Sequence, residues 1–199
     1  ISTKIKIISN LIKIFDSIII VGGMANIMLK NQGINIGNSI CEDGYDNLVK
    51  EILEKTKIYN CQIHCPLDVV VSQSLNGKGK VKKINEIEND DIILDIGFET
   101  IAKIKNIIDN SNTVLWNGPA GYYENSNFAN GTKEIIKIIT DKTFKDKIFS
   151  VAGGGETVAV INKFNKLDSF TFVSTAGGAF LEYLEGKTLP GIRALNQNV

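Results

Sequence analysis

Arginine is all but missing from this chain. Lys and Arg total 22, and Arg193 is the one arginine among them. Lysine meets anions as a point charge, without the two-pronged geometry of a guanidinium. A pocket built on forked recognition of phosphate or carboxylate is therefore not expected within these residues. Charge of one sign is lacking too. Lys+Arg and Asp+Glu both total 22, which excludes the basic excess of a nucleic-acid binder. Cysteine is sparse and odd in number: Cys41, Cys61 and Cys65 give no disulfide framework and point to a reducing, cytoplasmic setting. Cys61, His64 and Cys65 stand near one another in a short apolar run ending at Pro66. No second ligand cluster accompanies them, so they read as packed strand residues and not as a metal site. Long apolar runs are absent: the best candidate, Ser17 to Gly23, is strand-sized, so no membrane partner is expected. The first residue is Ile1 and not Met, and the chain is expected to be one domain cut from a longer protein.

What is present is regular alternation. Ser2 to Phe15 places Ile5, Ile8, Leu11, Ile12 and Phe15 at helical spacing. The β-branched run Ser17 to Val21 follows, as a strand covered on both faces should look. Further helices are expected at Met24 to Lys30, Tyr45 to Lys57, Glu99 to Ile108, Gly131 to Ile139, Thr157 to Phe164 and Gly178 to Leu184. Strands are expected at Gln62 to His64, Asp68 to Val71, Val81 to Ile84, Ile92 to Asp95, Thr113 to Trp116, Lys147 to Ala152 and Phe170 to Val173. Asn76 to Lys83, rich in Gly and Lys, reads as a surface hairpin. The expected class is α/β: a three-layer, Rossmann-like domain with a mostly parallel sheet of about six strands and helices on both faces.

Several strands end in glycine-bearing turns that run towards a helix. These are Val21-Gly22-Gly23, Trp116-Asn117-Gly118-Pro119, Ala152-Gly153-Gly154-Gly155-Glu156-Thr157 and Ser174-Thr175-Ala176-Gly177-Gly178. In a parallel sheet such turns share the carboxyl edge, where α/β proteins bind ligands. Glycine lets the backbone come close, and the N–H groups of the following helix face an anion. One such turn is ordinary turn geometry; together they imply a phosphate-bearing ligand. Neither common nucleotide pattern fits. The last glycine of G-x-G-x-x-G is Val158 here, and the Walker glycine before Gly186-Lys187-Thr188 is Leu181.

The segments do match another pattern. Trp116-Asn117-Gly118-Pro119 with Gly121 and Glu124 resembles the W-N-G-P-x-G-x-x-E segment of phosphoglycerate kinases. Gly153 to Thr157 is similar to that family's G-G-G-D-[ST] loop, and Ser174 to Ala179 to its S-T-x-G-G-A segment. Leu184-Glu185-Gly186-Lys187 with Leu189-Pro190-Gly191 resembles its closing L-E-G-K-x-L-P-G, while Ser2 to Ile5, Gly22 to Ala25 and Asp95 to Gly97 keep its order. The resemblance implies that residues 1–199 are the C-terminal, nucleotide-binding domain of a two-domain enzyme that moves a phosphoryl group between 1,3-bisphosphoglycerate and ADP. The phosphoglycerate would be held by an N-terminal domain that this sequence does not contain. The implied partners are ADP or ATP with Mg2+; a cytoplasmic monomer is expected.

By matching motif, Lys4 would approach the nucleotide phosphates and the transferred group, with the amides near Gly155 and Gly178 stabilising charge on it. Gly22 and Gly23 would lie against the adenine, with Leu75 and Leu94 on its other side; Asn117 and Pro119 would shape the pocket; Glu124 would bind the ribose hydroxyls. Gly154, Gly155 and Thr157 would offer groups to the phosphates, and Glu156 would hold the magnesium. Departures from the pattern are Glu156 for Asp, Phe98 for Pro, Val21 and Ala176 for Gly, Leu75 for an aromatic, and Tyr122-Tyr123 for Val-Phe. A non-catalytic nucleotide module, or an unrelated α/β enzyme with glycine turns, would share many of the same residues.

Overall fold

Runs of Ile, Val and Leu set the elements. In the computed structural model, residues 2–196 are described, with residues 2–4 and 6 described by their backbone alone. In chain order these are α1 (Ser2–Leu11), β1 (Ser17–Ile19), α2 (Gly22–Asn31), α3 (Asp46–Tyr59), β2 (Gln62–His64), β3 (Asp68–Ser72), β4 (Lys80–Lys83) and β5 (Ile92–Ile96). Then follow α4 (Phe98–Asp109), β6 (Thr113–Trp116), α5 (Asn130–Phe144), β7 (Phe149–Gly153), α6 (Gly155–Lys163), β8 (Phe172–Ser174), α7 (Gly178–Leu184) and α8 (Pro190–Asn196). Sequence reading missed α8, although Pro190 stands at its first position, where a helix has no use for the missing N–H.

The α/β class holds, but the sheet is not a single ladder of about six strands. The parallel strands form a pair, β1-β2, and a trio, β6-β7-β8. Between them β4-β3-β5 is a three-stranded sheet with antiparallel pairing throughout. The reason is connection length. Parallel neighbours need a crossover of about a dozen residues or more, and the link from Ser72 to Lys80 is too short to carry one, so β3 and β4 pair as a hairpin. β5 then takes the other edge of β3 and runs parallel to β4 without pairing with it. The surface hairpin expected around Asn76 to Lys83 is the β3–β4 turn.

Two apolar cores flank the parallel strands. One gathers Ile5, Ile8 and Ile12 with Ile27, Met28, Val49 and Ile52, around Ile20. The other sets Ile104, Ile135, Ile139, Val160 and Ile161 against Trp116 and Ala152, with Phe170 stacked on Trp116 at 6.1 Å between ring centroids. Ile19 and Val21, at the end of β1, pack on this second core, so side chains join the ladders where no backbone pairing does. Each fully buried Ile or Leu contributes about 1.5–3 kcal/mol relative to exposure.

The antiparallel sheet is tied down by polar contacts. The buried Asp68 carboxylate accepts the N–H groups of Glu99 and Thr100, at 3.0 and 2.7 Å, and so caps α4 from a distant strand. In the same sheet Lys82 reaches Glu88 and Asp91, both at 2.6 Å.

Candidate functional site

The turns after β1, β6 and β7 open onto one cleft of about 940 Å³, at the upper end of the range of small-molecule sites. Gly22 and Gly23, at the start of α2, form part of its wall. Asn117 and Pro119 enter after β6, and Glu124 a little further along. The loop after β7 brings Gly154, Gly155, Glu156 and Thr157. From the antiparallel sheet come Leu94, on β5, and Leu75, on the β3–β4 loop. One expected position is not among these wall residues, and the side chain of another is not described. Gly178 opens α7 but does not line the cleft, although Leu181 of the same helix does. Lys4 belongs to α1 by its backbone, and its side chain lies outside the described residues.

The walls are held by short, specific contacts. Asn117 donates from Nδ2 to the Gly153 carbonyl at 2.7 Å, and the Gly118 N–H donates to Thr157 Oγ1 at 2.7 Å. Thr157 is buried, so its hydroxyl first joins the two loops; having accepted one bond, it still has a proton to donate. Gly154 has φ +95, and a Cβ there would sit 2.5 Å from Asn117 Nδ2. Only glycine fits that close crossing. Gly121 is held as tightly against β5, since a Cβ would meet the Leu94 carbonyl at 2.4 Å.

The two ends of the cleft differ in character. One is apolar: Leu75 and Ile40 are 48% and 72% exposed, and they stand with Met24, Leu94 and Tyr122. The other is built from backbone, where Gly155 and Glu156 begin α6 and a Cβ added at Gly155 would meet nothing within 4 Å. Among the described residues, the ionic side chains lining the cleft are Asp95, Glu124 and Glu156, all acidic. Glu124 and Glu156 both act on Tyr123; burial first, then these two charges, push its phenol above the ordinary tyrosine range.

Sequence reading passed over Asp95, Asn26 and the two tyrosines as site residues. Asp95 was visible as the first residue of the Asp95-Ile96-Gly97 segment. Its carboxylate accepts the N–H groups of Gly131 and Ile96, at 2.7 and 2.9 Å, so it clamps the start of α5 to β5. Burial pushes this carboxyl up to about 6, against the opposing pull of the Gly131, Ile96 and Asn130 amides. Asn26, on α2, donates to the Ile40 carbonyl at 2.9 Å, while its buried Oδ1 has no hydrogen-bond partner among the described residues.

A family model described as phosphoglycerate kinase matches residues 1–187. The chain belongs to the phosphoglycerate kinase family. A phosphoglycerate kinase of Xanthobacter flavus is 41% identical over 199 residues, which are 99% of this chain and 50% of that protein. A phosphoglycerate kinase of Caulobacter vibrioides is 43% identical over 98% of this chain. Among solved structures, that of phosphoglycerate kinase from Coxiella burnetii superposes with a TM-score of 0.93 at 39% identity, covering 99% of this chain and 50% of that one. The phosphoglycerate kinase of Pyrococcus horikoshii gives 0.80 at 28% identity. This chain thus spans about half the length of the relatives it matches.

The donor set suits a hard cation at one place in the cleft. Glu156 stands in the first turn of α6, where a carboxylate is favoured by the helix dipole and where magnesium could share it with phosphate oxygens. The cysteines do not compete. Cys61 is buried, and among the described residues the group of three candidate ligands that does converge is Glu88, Asp90 and Asp91, two of which are bonded to Lys82.

Proposed function

We propose that this chain is the nucleotide-binding half of a phosphoglycerate kinase. It takes part in glycolytic phosphoryl transfer from 1,3-bisphosphoglycerate to ADP, giving ATP and 3-phosphoglycerate, in the cytoplasm. One observation carries the reading: in a chain of this family, one cleft brings together apolar side chains and the glycine-bearing start of a helix.

The base lies between Gly22-Gly23 and the Leu75, Leu94 side, and Glu124 takes the ribose hydroxyls. The Gly154, Gly155 and Thr157 groups receive the phosphates, close to where Asn117 fixes the loop. Lys4 and the Gly178 amide are assigned to the transferred phosphoryl on the resemblance alone. Glu156 would hold magnesium, which when bound neutralises phosphate charge beside three acidic side chains. Phosphoryl transfer asks for positioning and electrostatic stabilisation more than for covalent chemistry, and backbone amides fixed in place supply both.

This half binds Mg-ADP or Mg-ATP without turning over phosphoglycerate, because the residues that would hold that substrate are not in it. In a coupled assay the 199-residue chain is expected to be silent. Joined to the N-terminal half of a relative, it is expected to gain transfer activity, and Glu156→Gln in the joined protein to lose most of it. Turnover by the 199-residue chain alone would contradict the reading.

A further inference from the structure

The cleft holds two aromatic rings, and the protein itself engages one of them. Lys163 Nζ lies 5.3 Å from the centroid of the Tyr123 ring and also donates to the Tyr123 carbonyl at 2.9 Å. Tyr123 packs on the larger apolar core as well. Tyr122 is different. It is 36% exposed, joins none of the apolar clusters, and among the described residues makes no ring–ring or cation–ring contact.

Its backbone, by contrast, is fixed. The Tyr122 N–H donates to the Leu94 carbonyl at 2.7 Å, and its own carbonyl accepts from the Asn125 N–H at 3.2 Å. Asn125 Nδ2 donates to the Leu75 carbonyl at 2.8 Å, and Asn127 Nδ2 to the Gly77 carbonyl at 3.1 Å. The β3–β4 loop is thereby strapped to the segment that carries Tyr122. Leu75, Leu94 and Tyr122 form one preorganised apolar frame in which Tyr122 alone offers an unengaged π-face, Leu75 being aliphatic.

We propose that Tyr122 is the base-stacking residue of this cleft and sets its preference for nucleotides over inorganic polyphosphates. The inference rests on the nucleotide reading above. On a fixed backbone a tyrosine has few side-chain torsions left to order when a flat heteroaromatic base settles on its ring. Stacking reads the face of a base and not its edge, so a purine, with the larger face, is held better than a pyrimidine.

The test is calorimetric titration of Mg-ADP, Mg-CDP and Mg-pyrophosphate into the wild-type chain and into Tyr122→Ala and Tyr122→Phe. Tyr122→Ala is expected to weaken Mg-ADP roughly 5- to 150-fold, the range of aromatic–base stacking, and to narrow the gap between ADP and CDP. Tyr122→Phe keeps the ring and is expected to bind Mg-ADP within about twofold of wild type. Mg-pyrophosphate affinity is expected to be the same in all three proteins. Should the alanine variant fail to fold, Tyr122→Leu keeps the apolar bulk without the ring and is expected to lose ADP affinity in the same direction. Wild-type ADP affinity in Tyr122→Ala, or an equal loss for ADP and pyrophosphate, would overturn the proposal. A wild-type chain that binds neither ligand would instead overturn the nucleotide reading beneath it.

Discussion

The parallel ladders and the antiparallel sheet contribute to the cleft in opposite ways. After β1, β6 and β7 the chain presents mostly glycine: Gly22-Gly23, Gly118 and Gly154-Gly155, at the starts of α2 and α6. The antiparallel sheet presents mainly side chains, Leu75 and Leu94, on a frame strapped by Asn125 and Asn127. Main-chain amides at a helix start suit phosphate, whereas aliphatic and aromatic side chains suit a base. The division of the sheet into ladders thus parallels the division of the cleft into a polar and an apolar end, and Asp95 on β5 joins the two by holding the start of α5.

The largest break in this pattern is expected from the backbone side. Gly154→Ala forces a Cβ onto Asn117 Nδ2 at a positive φ. It should cost about 1–3 kcal/mol of stability by chemical denaturation and abolish saturable binding of Mg-ADP. Leu75→Ala, on the side-chain side, should leave the denaturation midpoint nearly unchanged and reduce ADP affinity alone. An equal loss of stability from both substitutions would dissolve the distinction.

The joint between the regions is sensitive to pH. The folded Asp95 carboxyl titrates at about 6, above the ordinary value near 3.9 of the unfolded chain. The folded state therefore holds the extra proton between these values. This contribution is fully present below about pH 4 and is lost as pH rises through about 6. The loss is on the order of 2–3 kcal/mol, read as a fall in unfolding free energy, and Asp95→Asn should flatten that part of the profile. A wild-type profile that rises steadily from pH 4 to 7, and is unchanged by Asp95→Asn, would show that the amides hold Asp95 ionised.

Smaller effects sharpen the apolar end. Asn125→Ala frees the Leu75 loop and should weaken ADP binding by about 1 kcal/mol with little change in pyrophosphate binding. Asn26→Leu should be near neutral in stability, within about 1 kcal/mol by denaturation, because it removes a bond to the Ile40 carbonyl together with a buried acceptor that has no partner among the described residues.

Much of this arrangement was legible in the chain itself. Periodicity marked β1 to β8 and every α-helix among the described residues except α8, because covered strands and amphipathic helices leave opposite patterns. Strand pairing was less legible. That β4 and β5 both pair antiparallel with β3, one on each edge, depends on how the links run, which apolar patterning does not record. The glycine turns could be seen as a set, and Gly154 shows why: its conformation and its contact with Asn117 admit no side chain. Asp95 and Tyr122 were harder to see as site residues. Their significance comes from contacts across the fold, with Gly131 and Leu94, and an aspartate or tyrosine looks ordinary in isolation.

The most direct test of the central claim uses Trp116, the single tryptophan, which is buried one residue before Asn117. ADP would be titrated into the 199-residue chain, with and without magnesium, while its fluorescence is followed and the heat of binding measured. Saturable binding to one site, tighter with magnesium, is the predicted result. No fluorescence change and no heat, from a chain shown to be folded by circular dichroism, would contradict the assignment of this cleft to a nucleotide.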